Sequence, residues 1–78
     1  MSPKVIKVQA NKDYTLVLTF SNNDIRKFDV KPYLNIGDFT ELKDISMFMS
    51  VKLFMGSIQW SNELDFSPDT LYEEGQPV

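Results

Sequence analysis

Tyr14-Thr15-Leu16-Val17-Leu18-Thr19-Phe20 is the stretch on which the fold turns. In an extended chain, side chains alternate at period two, so Tyr14, Leu16, Leu18 and Phe20 share one face. Thr15, Val17 and Thr19 share the other. Every residue here is β-branched, aromatic or leucine, types that suit a pleated and half-buried surface. The stretch is therefore a strand with its leucine face on a core, and turn chemistry on either side places its neighbours.

Upstream, Asn11-Lys12-Asp13 is a turn. Before it, Val5 to Ala10 reads as a strand in which Ile6, Val8 and Ala10 alternate against Val5, Lys7 and Gln9. Downstream, Ser21-Asn22-Asn23-Asp24 contains asparagines, which tolerate the positive φ of tight hairpins. Ile25 to Val30 then returns as a third strand, whose Arg26, Lys27 and Asp29 call for an edge position or one wet face. Short turns between consecutive strands predict an antiparallel meander. Pro32 closes it, Tyr33-Leu34 suggests a short helical turn, and Asn35-Ile36-Gly37-Asp38 is a loop.

From Phe39 the period changes. Phe39, Leu42, Ile45, Phe48 and Met49 recur at helical steps, and Asp44 is the expected cap of a helix of about two turns from Ile45. Val51 to Met55 and Ile58 to Trp60 are short strands, with Gly56-Ser57 as the turn of a second hairpin. After the turn Ser61-Asn62-Glu63, Leu64-Asp65-Phe66 is extended. Ser67-Pro68-Asp69 opens a helix over 68–74, by a serine N-cap, a proline in the first turn and an acid facing the positive helix end. Leu71 and Tyr72 point inward, Gly75 stops the helix, and residues 76–78 are expected to fray. The expectation is one α+β domain over residues 1–78: an antiparallel meander of three strands, a short helix, a second β-hairpin and a short C-terminal helix.

Composition removes whole classes of chemistry. The chain has no cysteine, so neither a disulfide nor a thiolate metal site can support it, and packing alone must do so. It has no histidine, which removes the commonest general base and metal ligand together. Its three glycines, Gly37, Gly56 and Gly75, are isolated and form no phosphate-cradling loop. Asp65, Asp69 and Glu73 lie close in sequence and could attract a divalent cation, but capping already explains Asp69 and solvent explains Glu73. No catalytic, cofactor or metal residue is assigned, and enzymatic activity is not expected. Met1-Ser2-Pro3-Lys4 runs straight into a strand pattern, and no apolar run is long enough for a bilayer, so a cytoplasmic protein without a membrane partner is expected.

The net charge of −3 is unevenly spread. Residues 1–31 carry +3, through Lys4, Lys7, Lys12, Arg26, Lys27 and Lys31 against three aspartates, and residues 32–78 carry −6. No basic residue follows Lys52. The asymmetry fits a basic partner at the acidic end, or pairing between the two ends of neighbouring molecules, or simply a solvated surface. Direct nucleic-acid binding is not expected, because the basic residues alternate with acids and arginine occurs once.

Association surfaces are the stronger signal. In Val51-Lys52-Leu53-Phe54-Met55, Phe54 opposes Val51, Leu53 and Met55, so apolar groups lie on both faces of one strand. Val5 and Val17 also face away from the main apolar rows. Trp60, the single tryptophan, reads first as a core residue closing the hairpin and second as an interface anchor. The interaction candidates are therefore Phe54, Trp60, Val17 and the acidic pair Glu73 and Glu74.

The order of these signals resembles the small bacterial family called domain of unknown function 2442. The resemblance rests on Pro3-Lys4-Val5, the strand Tyr14 to Phe20, Phe28-Asp29-Val30, Phe39-Thr40-Glu41-Leu42, Phe48 and Val51. Its most distinctive part is the close: Ile58-Gln59-Trp60, Leu64-Asp65-Phe66-Ser67-Pro68-Asp69 and Leu71-Tyr72. It departs at the first hairpin, where the family commonly has a glycine and this chain has Asn23-Asp24. The resemblance implies no catalytic residues. It implies a protein-binding accessory, antitoxin-like or regulatory, to a small partner protein or to a second copy. A DNA-associated regulator using the basic N-terminal strands, and a small metal-dependent enzyme at Asp65, Asp69 and Glu73, are the alternatives.

Overall fold

Leu16, Leu18 and Phe20 are fully buried in the computed structural model, which describes residues 2–78. They belong to the second of three consecutive antiparallel strands, β1 (Val5–Ala10), β2 (Thr15–Phe20) and β3 (Ile25–Asp29). Pairing sets Leu16 between Ala10 and Phe28, and Leu18 between Val8 and Arg26, so the core face continues across the sheet. The turn between β2 and β3 uses the left-handed conformation at Asn23, φ 70°.

β1 departs from simple alternation. Its register slips between Val5 and Lys7, so that Val5 faces Phe20 while Lys7 faces Thr19. A bulge of this kind returns the next side chain to the face just left. Val5 therefore turns into the core and Ile6 turns out, 51% exposed, the reverse of the alternation expected for this strand. Val5 is thus removed from the outward apolar residues.

After β3 come two 3-10 segments, Lys31–Tyr33 and Gly37–Lys43, and then α1 (Ile45–Phe48). Asp44 caps α1 as expected, accepting the Ser46 N–H at 3.0 Å. The helix is a single turn rather than two, because Met49 and Ser50 form a turn, with the Ser50 N–H donating to the Met47 carbonyl at 3.1 Å, before the strand begins at Lys52; the earlier part of the helical period, from Phe39, is wound as 3-10. Phe48 and Leu42 still point into the core. β4 (Lys52–Phe54), β5 (Ser57–Gln59) and β6 (Asp65–Phe66) form a second antiparallel sheet in that order. α2 (Pro68–Glu74) follows, its first turn closed by the Ser67 hydroxyl, which accepts the Thr70 N–H at 3.1 Å.

The chain ends in β7 (Gln76–Pro77), paired antiparallel with β3 to give the order β1-β2-β3-β7. The terminal residues expected to fray are instead drawn into the sheet, and the Val78 N–H donates to the Ile25 carbonyl at 3.3 Å. Gly75 makes this possible. A Cβ there would stand 2.6 Å from the Leu71 carbonyl oxygen and 3.0 Å from Arg26 Cβ, so only glycine lets the chain pass so close to β3.

The two sheets and the helices enclose one core, in which Trp60, Phe66 and Ile58 of the second sheet region meet Leu16, Leu18, Phe20 and Phe28 of the first. Each such side chain contributes roughly 1.5–3 kcal/mol on burial, which is how so short a chain holds without disulfides. Among the described residues no helix is long and apolar enough to cross a membrane.

Candidate functional site

The hairpin of β4 and β5 turns one residue earlier than its sequence suggests. Phe54 pairs with Ser57, so the two loop residues are Met55 and Gly56, not Gly56 and Ser57. Both have positive φ, 48° and 81°, the geometry of a type I′ turn. Glycine fits the first position of a type II′ turn or the second of a type I′ turn, which is why the sequence left the register open to a one-residue error. Gly56 is also where β1 meets the hairpin. Its carbonyl accepts the Val5 N–H at 3.0 Å, and Lys4 Cγ lies 3.2 Å from where its Cβ would stand.

Met55 therefore sits on a pinned turn, in a conformation that costs an L-residue about 1–2 kcal/mol, with 89% of its surface exposed. Leu53 and Phe54 beside it are 46% and 42% exposed. Pairing of Lys52 with Gln59, Gln59 with Asp65 and Phe54 with Ser57 sets these residues on the outer face of the second sheet. Leu53, Ile58 and Phe66 take the opposite face.

A groove of about 310 Å³ opens between the hairpin tip and the start of α2. Phe54 and Met55 form one bank, Asp65, Ser67 and Pro68 the other, and Phe66 closes part of the floor. Ser57 stiffens the floor by donating its hydroxyl to the Phe66 carbonyl at 2.6 Å. Asp65 is the single charged residue in the lining. The two ion pairs among the described residues, Arg26 with Asp24 and Lys31 with Asp29, leave its carboxylate out.

The other candidates lie elsewhere. Trp60 is fully buried, and its indole N–H donates to the Phe48 carbonyl at 2.8 Å, so it holds α1 to the second sheet rather than meeting a partner. Val17 is half-buried on the outer face of the first sheet, opposite Gln9 and Lys27. That face carries Lys7, Thr19 and Lys27 around it, with the exposed Ile25 paired to Thr19. Glu73 and Glu74 occupy the far end of α2 from the groove. The Tyr33 hydroxyl donates to Glu74 at 2.5 Å beside a second hollow of about 250 Å³, and this bond to a carboxylate pushes the Tyr33 phenol above its ordinary value.

Asp65, Asp69 and Glu73 do not gather. Among the described residues no three acidic side chains are placed to hold a metal ion. Asp69 instead accepts the Ser2 N–H at 3.3 Å, and Ser2 holds its carboxyl below the usual range.

The sole arginine is committed internally. The Arg26 guanidinium lies 3.8 Å from the centre of the Tyr72 ring and donates to the Tyr72 carbonyl at 2.6 Å. Its Nε and Nη2 donate to Asp24, as does the Tyr72 hydroxyl at 2.8 Å. This closed set clasps α2 to the β2–β3 hairpin and removes from the basic strands the side chain best suited to phosphate. The hydrogen bonds from Tyr72 and Arg26 hold the Asp24 carboxyl below its ordinary value.

Met55 and Asp65 as partners across a groove were missed from sequence. Asp65 was read with the acidic residues that follow it, and the turn register that lifts Met55 to the tip has no unique signature. The family model described as "Protein of unknown function (DUF2442)" matches residues 5–77, nearly the whole chain. No curated protein and no solved structure matches the chain.

Proposed function

We propose that this chain, which belongs to the DUF2442 family, is a non-enzymatic protein-interaction module that engages a small partner protein through the tip of its second hairpin. The observation that supports this reading is Met55. An exposed apolar side chain on a left-handed backbone is unfavourable twice over, and such placements concentrate at functional surfaces. Methionine is also the apolar side chain that adapts best to a partner's contour. Phe54 beside it, 42% exposed, extends the surface and gives it an aromatic anchor.

An antitoxin-like or regulatory accessory role is the finer form of this proposal, and it rests on the family resemblance. The test is affinity capture from the source cell's extract with the tagged chain and its Phe54→Asp variant. One stoichiometric protein retained by the first and lost by the second is the expected result. Equal retention by both, with the variant folded by circular dichroism, would remove the hairpin as the docking surface.

A further inference from the structure

The groove beside the hairpin tip restricts what can occupy it. Its apolar lining (Phe54, Met55, Phe66 and Pro68) surrounds one carboxylate, Asp65, which takes part in neither ion pair of the described residues. Resting on the interaction-module reading above, we infer that the groove takes a segment of a partner protein in which an apolar side chain is flanked by lysine or arginine. The apolar side chain lies between Phe54 and Pro68, and the cation pairs with Asp65.

Charge argues for this occupant against the others. Asp65 is the single charge in the groove lining, and Glu73 and Glu74 lie at the far end of α2. The lining therefore presents a lone carboxylate, which pairs with a basic segment and not with a phosphate backbone, while Lys4 packs on Gly56 at the tip. A second copy presenting the same groove would bring Asp65 towards Asp65. Lys52, two residues from Phe54 on the outer face, stands across Gln59 from Asp65, so the groove has a direction: the partner's cation belongs at the β6 side and not at the β4 side. A groove of about 310 Å³ fits one or two side chains and not a folded surface, so the anchor is a short exposed segment.

The experiment uses two synthetic nonapeptides, one alternating leucine with lysine and the other alternating leucine with glutamate, titrated into the isotope-labelled chain and followed by amide chemical shifts. The basic peptide is expected to move resonances of residues 54–58 and 65–68 and to bind at least about tenfold more tightly than the acidic one. Asp65→Asn should cut that preference to below about threefold, and Phe54→Ser should weaken both peptides. Equal affinities, a preference that survives Asp65→Asn, or shifts confined to the outer face of the first sheet would overturn the inference. Concentration-dependent shifts of the same residues without peptide would assign the groove to a second copy and also overturn it. The wild-type shift map needs no variant to fold. A partner captured through Phe54 whose peptides show no charge preference would leave the interaction module standing and remove only the basic-segment inference.

Discussion

At Met55 the energetic cost of a left-handed backbone and that of an exposed apolar side chain fall on one residue. Asparagine tolerates that conformation and suits a type I′ turn with the following glycine. Met55→Asn is therefore expected to raise stability by about 0.5–1 kcal/mol, read as a higher denaturant midpoint with unchanged slope, while partner capture weakens. A variant no more stable than the parent would mean that neighbouring contacts already relieve the backbone. The single residues also mark the limits of sequence reading. The leucine row of β2 is legible because alternation and burial agree. Ile6 is not, because nothing around it announces a bulge: no glycine or proline breaks the run from Val5 to Ala10, and Lys7 fits the outward row of an unbroken alternation. Trp60 is read correctly only as a core residue, since composition cannot show that Phe48 offers its indole a carbonyl.

Among the elements, α2 owes its place to two polar devices at its ends. The Ser67 hydroxyl closes the first turn, and Ser67→Ala should cost about 1 kcal/mol, seen in thermal unfolding by circular dichroism. No change would mean that Pro68 and packing of Leu71 suffice to start the helix. At the other end, Asp24 receives Arg26 and Tyr72 and is held below its ordinary value of 3.8. A carboxyl whose folded value is lowered adds stability that is present above the unfolded value and disappears as pH falls through the folded one. Acid titration of the wild type should therefore lose stability below about pH 4, and Asp24→Asn, already lacking that contribution, should show a shallower loss over the same range. Superimposable acid profiles would place the sensitivity at other carboxylates, such as Asp13 or Asp69, whose values are also lowered. Both caps, at Asp44 and Ser67, were legible in sequence because a capping side chain acts locally. β7 was not, because its pairing depends on how closely Gly75 lets the chain approach β3.

On the scale of the whole molecule, two sheets share one core and are fastened at a few points. The Val5 N–H meets the Gly56 carbonyl at one corner, and Trp60 joins α1 to the second sheet inside. Replacing Trp60 with phenylalanine removes volume and leaves the Phe48 carbonyl without its donor. The expected loss is about 2–4 kcal/mol, measured by chemical denaturation, and a loss under about 1 kcal/mol would show that the core closes around the smaller ring. The class of fold was legible because each strand carries its own period. The number of sheets was not, since Leu64 to Phe66 is extended in either arrangement and only packing decides which neighbour it joins.

The same tryptophan makes the molecule its own optical probe. Trp60 is the single indole in the chain, fully buried, in an edge-to-face pair with Phe66 at a ring separation of 5.8 Å. Phe66 in turn lines the groove beside the hairpin tip. Emission excited at the red edge of indole absorbance thus comes from one site, separated by a single aromatic ring from the groove proposed to hold a partner segment. A small spectral shift on adding a partner would report occupancy without a dye, a tag or a substitution.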